Sequence, residues 1–373
     1  MVDLQSQYQE IKNEIDQSIH KVLDSSMYIG GQEVKNFQKE LEDFLDVKHV
    51  IPCGNGTDAL QIAMMALGLK PGDEVIAPSF TFVATAEVIA LLGLTPVLVD
   101  VDLGTFNMSI DSLKKAITPK TKAIIPVHLF GQCVNMDAVM DIAKKHNLFV
   151  IEDNAQAIGA SYTFQNGTKA MAGTMGNFGT TSFFPSKNLG CYGDGGALVT
   201  NDDELATKAR QIANHGMVVR YHHNFVGINS RLDSIQAGVL SVKLKRLNNY
   251  ARARQNAAAN YNKAFENNPY LITPQTTPDS THVYHQYTLR VTNGISRDKL
   301  KDFLNSKDIP AMVYYPIPLH QQKAYLDDRY QAGDFPVSEQ LASEVISLPM
   351  HTEISHEQME YITKTVLEFT QNQ

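Results

Sequence analysis

A chain of 373 residues, 43% hydrophobic and 19% charged, has room for roughly two domains and the composition of a folded globular protein rather than a disordered or fibrous one. Its formal net charge of -8, with no dense Lys/Arg block, excludes a nucleic-acid-binding face but leaves anionic small ligands compatible through local sites. The start, Met1 to Glu10, is too polar and acidic for a signal peptide, and the most hydrophobic stretch, Val88 to Val99, falls short of the roughly 18 residues of a membrane span. The expectation is a cytoplasmic protein with no membrane partner.

In chain order, residues 3–24 read as a helix, and Val34, Phe37, Leu41 and Phe44 recur at spacings of three and four, which predicts a second. Ser26, Tyr28 and the glycines at 30 and 31 form the turn between them. Apolar runs near 48–53, 74–77, 96–101, 122–128 and 149–153 then alternate with amphipathic stretches at 57–68, 81–93, 111–117 and 136–146. Strands alternating with helices predict an α/β fold with a mostly parallel central sheet covered on both faces.

Ligands of such sheets collect at the carboxyl ends of the strands. Cys53-Gly-Asn-Gly-Thr-Asp58 opens a helix there; it is either a phosphate cradle of backbone N–H groups and the Thr57 hydroxyl or a plain N-capped turn. Phe80-Thr-Phe82 offers an aromatic ring either to a flat ligand or to the core. Asp153 ends an apolar run, where a buried carboxylate needs a cation or structural hydrogen bonds.

Lys187 is the only charged residue between Lys169 and Asp194. An apolar run precedes it and a glycine-rich turn follows, a setting in which burial favours the neutral amine and makes a Schiff-base nucleophile; an ordinary surface lysine beside a turn is the alternative. Neither G-x-G-x-x-G nor G-x-x-x-x-G-K-[ST] is completed, so dinucleotide and P-loop chemistry are not expected. Cys53, Cys133 and Cys191 form no C-x-x-C pair, and the adjacent His222 and His223 lack the i, i+4 spacing of a helical metal pair, so no disulfide framework and no metal site is expected.

From about Ser230 one long amphipathic helix is predicted to about Asn267, then a strand over Tyr287–Val291 and helices near 297–306 and 338–346. This divides the chain into a large domain, 1–247, and a smaller α+β domain, 248–373. Met312 to His320 is aromatic and held extended by Pro316 and Pro318, a path that presents Tyr314, Tyr315 and His320 to the cleft between the two.

With Asn55-Gly-Thr-Asp-Ala59, Pro78-Ser-Phe-Thr-Phe82, Glu152-Asp-Asn-Ala-Gln156, Ser182-Phe-Phe-Pro-Ser-Lys-Asn-Leu-Gly190, Gly193-Asp-Gly-Gly196 and Asn229-Ser-Arg-Leu-Asp233 in place, the chain resembles the DegT/DnrJ/EryC1/StrS family along nearly its whole length. These are pyridoxal-phosphate-dependent sugar aminotransferases of the aspartate aminotransferase fold. The resemblance implies that Lys187 binds the cofactor covalently, Asp153 pairs with the pyridinium nitrogen, Phe82 stacks on the ring and Gln156 meets its 3-oxygen. Gly56, Thr57 and Ser182 would hold the phosphate, joined by Asn229 from the second subunit of a homodimer.

On the substrate side the resemblance points to Ser26, Tyr28, Ser186, Arg231 and Tyr315, with Arg231 meeting a carboxylate. Arg220, His222, His223 and Arg231 form a local cationic patch for a nucleotide sugar. The expected acceptor is a UDP-linked, N-acetylated 3-oxo uronate on the way to surface polysaccharide, with L-glutamate as donor. A dTDP-3-oxo-6-deoxyhexose or a 4-oxo sugar is the alternative acceptor, and a non-catalytic regulator the alternative of another class. Family members that dehydrate deoxysugars carry histidine in place of Lys187, which argues against that chemistry. Where near relatives have His-Tyr-Pro, this chain has Tyr314-Tyr-Pro316, a departure that bears on sugar choice.

Overall fold

In the computed structural model, which describes residues 1–371, the apolar runs become strands of one seven-stranded sheet. These are β1 (His49–Cys53), β2 (Glu74–Pro78), β3 (Thr95–Val99), β4 (Thr121–Ile124), β5 (Phe149–Asp153), β6 (Phe178–Ser182) and β7 (Gly196–Thr200). Their order is β1-β7-β6-β5-β4-β2-β3. Only β7 runs antiparallel to its neighbours; every other pair is parallel.

The strands read as continuous apolar runs because both faces are covered. Ile51, Val75, Ile151, Phe178 and Leu198 pack on one side against the helices Gly56–Ala66 and Asp203–Ala213. Their neighbours Ile76, Val97, Ile124 and Val150 pack on the other against Met136–His146. The two-residue period of each strand thus feeds two cores from one sequence run.

The helix expected from Ser230 to Asn267 is instead two, Ser234–Leu244 and Leu247–Phe265. Residues before 234 are claimed by other partners: Asn229 bridges Asn214, the Ser230 N–H donates to the Ala213 carbonyl, and Asp233 bridges Ile29. At the break, the Arg246 side chain turns back onto the Val242 carbonyl and pairs with Glu14. The helix expected near 338–346 runs over Pro336–Glu344, and Val345–Leu348 leaves it as a strand. That strand pairs antiparallel with Tyr287–Val291, and its Ile346 and Leu348 face the same core as Tyr261, Leu300 and Val366.

The C-terminal part is fastened to the sheet's carboxyl edge. Asp100, just after β3, accepts from the N–H groups of Val337 and Ser338 and from the Ser338 hydroxyl. The Leu319 N–H donates to the Ser79 carbonyl, just after β2. Among the described residues no helix is long and apolar enough to cross a membrane.

Candidate active site

At the end of β5 two adjacent carboxylates have different surroundings. Glu152 is fully buried and accepts from four donors, the Nε2–H of His128 and the N–H groups of Gly173, Met175 and Gly176. His128 accepts at Nδ1 from the Val134 N–H, which assigns its ring proton to Nε2. Asp153 is held by the Thr85 hydroxyl at 2.8 Å on one oxygen and the Ala155 N–H at 3.2 Å on the other. That arrangement keeps a buried carboxylate anchored while leaving lone pairs for a cationic ligand atom.

The strand before Lys187 ends at Ser182, so the apolar residues Phe183 and Phe184 lie beyond it, and a turn completes the approach: the Lys187 N–H donates to the Phe184 carbonyl at 2.8 Å. Among the described residues Lys187 Nζ has no hydrogen-bond or ion-pair partner. Burial pushes its pKa down to about 8, partly opposed by the field of Asp153. An amine in that state is a nucleophile near neutral pH.

The helix Gly56–Ala66 begins beside Ser182. Its cap, Asn55, accepts from the Asp58 N–H, and the N–H groups of Gly56 and Thr57 are left without acceptors among the described residues. A Cβ on Gly56 would stand 2.8 Å from Ser182 Cβ, so only glycine permits this approach. Unpaired N–H groups, two hydroxyls and the positive end of the helix dipole suit a phosphate.

Gln156 accepts from the Phe130 N–H at 2.7 Å and donates to the Tyr315 hydroxyl at 3.1 Å. Tyr315 lies against Phe80 and Phe82, with ring centroids 6.0 and 6.3 Å away. Phe80 is buried in the core, whereas Phe82 is 54% exposed, the ring available to a flat ligand. Burial raises the Tyr315 pKa above its usual range, so this hydroxyl stays neutral. The ends of β1, β2, β5 and β6 therefore gather a nucleophilic amine, an anchored carboxylate, an open ring and a phosphate cradle, a set matched to a planar, phosphorylated aldehyde.

The other predicted residues make no hydrogen bond to this group among the described residues. Asn229 and Arg231 are exposed, although Ser230 between them bonds the Gly54 N–H and Asp58. His222 stands on the exposed hairpin of Met217–Val219 and His222–His223. Ser26 and Tyr28 are exposed in a turn fastened to residue 234 through the Tyr28 carbonyl, and Ser186 is half-buried one residue before Lys187. Tyr314 is also half-buried, with burial raising its pKa. His320 corrects the expectation of a cleft-facing side chain: it is 3% exposed, packed on Phe335 and bonded to Glu339 at 3.1 Å.

The structure adds residues the sequence did not single out. Thr85 holds Asp153, and its signal was a hydroxyl soon after a strand end. His285 is buried, with burial and the cations Lys187 and Arg254 keeping its pKa well below the ordinary value; among the described residues its Nδ1 has no hydrogen-bond partner. Nothing in the local sequence marks it.

The pattern defining the DegT/DnrJ/EryC1/StrS aminotransferase family matches residues 9–367. The chain is 49% identical over 350 residues to the UDP-2-acetamido-2-deoxy-3-oxo-D-glucuronate aminotransferase of Pseudomonas aeruginosa, covering 94% of each. It is 47% identical over 371 residues to a "Pleiotropic regulatory protein" of Geobacillus stearothermophilus, covering 99% of this chain and 98% of that one. The crystal structure of a DegT DnrJ EryC1 StrS aminotransferase from Brucella abortus matches with a TM-score of 0.93 at 42% identity, over 99% of this chain and 98% of that one.

Proposed function

The chain belongs to the DegT/DnrJ/EryC1/StrS aminotransferase family, whose members use pyridoxal phosphate, and on that premise we propose that it moves an amino group from L-glutamate to a UDP-linked, N-acetylated 3-oxo uronate. The observation that carries the reading is the unpaired Lys187 amine, with its pKa near 8, in the field of the anchored Asp153. The site fits the cofactor on two further counts: the close approach of Gly56 to Ser182 beside unpaired helix N–H groups, and the open ring of Phe82.

In this reading Gly56, Thr57 and Ser182 hold the phosphate and Phe82 covers one face of the ring. Gln156 has one N–H left after Tyr315 and Phe130 are served, and gives it to the ring's 3-oxygen. Asp153 holds the proton on the pyridine nitrogen. Bound there, pyridoxal phosphate supplies the electron sink that lets a carbon beside nitrogen lose its proton. Lys187, with a pKa near working pH, takes up and returns that proton.

A second copy of the chain completes the site with Asn229 and Arg231. The segment leading to them exposes Val219, Tyr221 and Val226 by 63, 77 and 87%, a grouping of apolar side chains that favours a covered face. Arg231, with Arg220, His222 and His223 nearby, offers the cations that a carboxylated nucleotide sugar needs against a net charge of -8. Ser26, Tyr28, Ser186, Tyr314 and Tyr315 line the sugar side.

The test is an acceptor screen with L-glutamate, the cofactor, and 3-oxo and 4-oxo nucleotide sugars, read by mass spectrometry. Amination of the UDP-3-oxo uronate is expected. Amination of only a dTDP-3-oxo-6-deoxyhexose or a 4-oxo sugar would replace this acceptor. The name of the Geobacillus relative favours one rival, a regulator without turnover; cofactor absorbance that ignores L-glutamate would support it.

A further inference from the structure

Lys243 is a fully buried lysine that the chemistry above does not use. It lies near the end of helix Ser234–Leu244 and is 1% exposed. Its Nζ donates to the Gly190 carbonyl at 2.8 Å and stands 4.3 Å from the centre of the Tyr192 ring. No ion pair to a carboxylate is formed by it among the described residues. Burial lowers its pKa to about 8, with Cys191 opposing, so the group is still largely charged at neutral pH. An apolar side chain of the same length would fill this space without the desolvation penalty.

The carbonyl it grips belongs to the turn that carries Lys187. At Gly190 the backbone folds back on Phe184 and Pro185 so closely that a Cβ would collide with the Pro185 carbonyl. The Cys191 N–H donates to the Phe183 carbonyl at 2.8 Å and closes the loop, while the Lys187 N–H is held by the Phe184 carbonyl inside it. On the far side Asn188 Nδ2 donates to the Val283 carbonyl at 3.0 Å. Lys187 thus sits between two tethers, Asn188 to Val283 and Gly190 to Lys243. The second is a charge-assisted hydrogen bond backed by a cation–π contact, both strengthened by the absence of water.

We propose that Lys243 is a positioning residue for Lys187: its buried ammonium, clasping the Gly190 carbonyl and the Tyr192 ring, fixes the 183–191 loop so that the Lys187 amine is presented to the cofactor. The proposal rests on Lys187 being the cofactor-bearing lysine.

The test compares wild type, Lys243→Met, Lys243→Arg and Lys187→Ala in the full chain. Met keeps the length and removes the charge; it relieves the desolvation of the ammonium but leaves the Gly190 carbonyl without this donor, so Tm is measured as the control for folding. Expected for Lys243→Met are a cooperative thermal transition that shows a folded protein, a pyridoxal phosphate dissociation constant raised about tenfold as one charged hydrogen bond is lost, and slower borohydride labelling of Lys187. Lys243→Arg restores part of both. Wild-type affinity and labelling rate in a folded Lys243→Met protein would overturn the proposal. Should that variant not fold, Tyr192→Leu removes the ring beneath the ammonium; a weakened cofactor affinity supports the proposal and a wild-type value overturns it. Borohydride labelling that persists in Lys187→Ala would instead refute the assignment of Lys187 itself.

Discussion

The Gln156 amide donates to the Tyr315 hydroxyl at 3.1 Å while accepting from the Phe130 N–H at 2.7 Å, so a loop from the C-terminal third of the chain sets the orientation of a side chain just beyond β5. Tyr315→Phe frees one Gln156 N–H and should weaken cofactor binding about five- to tenfold, the scale of one neutral hydrogen bond. Because the Tyr315 hydroxyl stays neutral, the effect should not vary between pH 6 and 9. Fluorescence titration of the cofactor-free protein measures it; an unchanged dissociation constant would show that Gln156 needs no such guide.

Lys187 gives a pH signature. Only the neutral amine attacks an aldehyde, so cofactor capture by the cofactor-free protein should rise through about pH 8 and level off above it, whereas an unshifted lysine at 10.5 would give a continuing climb. Stopped-flow absorbance distinguishes the two. The linkage has the same sign. Between the folded and unfolded values the unfolded chain binds more protons, so the stability cost of Lys187 is greatest below pH 8 and fades toward 10.5. The stability advantage of a Lys187→Met variant, measured by denaturant titration, should shrink over that interval.

At Gly56, an alanine would press on Ser182 Cβ at 2.8 Å. Gly56→Ala should raise the dissociation constant of pyridoxal phosphate by about 10- to 100-fold through overpacking. Pyridoxal, which lacks the phosphate, should bind both proteins alike. Equal losses for the two ligands would remove the phosphate from this cradle.

Tyr314 offers a neutral hydroxyl where histidine could form a charge-assisted hydrogen bond. Tyr314→His should shift the ratio of kcat/KM for the 3-oxo uronate over a 3-oxo-6-deoxyhexose by about ten- to thirtyfold toward the acid. A wild-type preference for the neutral sugar beyond about a hundredfold exceeds what one hydrogen bond explains and would discard the uronate.

If the active site is shared, co-expressed Lys187→Ala and Arg231→Ala subunits, each inactive alone, should recover about a quarter of the wild-type sites in a random mixture of dimers. Activity per site in the purified mixed dimer settles it. No recovery would place both residues in the same subunit's site.

Much of this arrangement was legible because it is written in local pattern. Short apolar runs alternating with amphipathic stretches marked β1 to β5 and their helices, and Lys187 stood out as one charge in an uncharged stretch. Asp153 was readable as a carboxylate too costly to leave without partners. What escaped depends on distant segments. Lys243 lies in Lys243-Leu-Lys-Arg246, a run that reads as a solvated helix face, and only the fold reveals that Gly190 lies above it. His320 looked available because its partner Glu339 and the Phe335 ring are brought over it from another part of the chain. The break at Lys245 and Arg246 carries no Gly or Pro, the usual punctuation.

Glu152 has one further consequence. A strand that slides by one residue exchanges its two faces, which in β5 would put Glu152 where Asp153 stands and Ile151 where Glu152 stands. An isoleucine accepts nothing, so the slipped pairing would leave the four donors around Glu152 unanswered. The buried acid thus acts as a proofreading key for the alignment of β5, rejecting the one misfold that would swap the identity of the ligand-facing carboxylate while leaving the sheet outwardly intact.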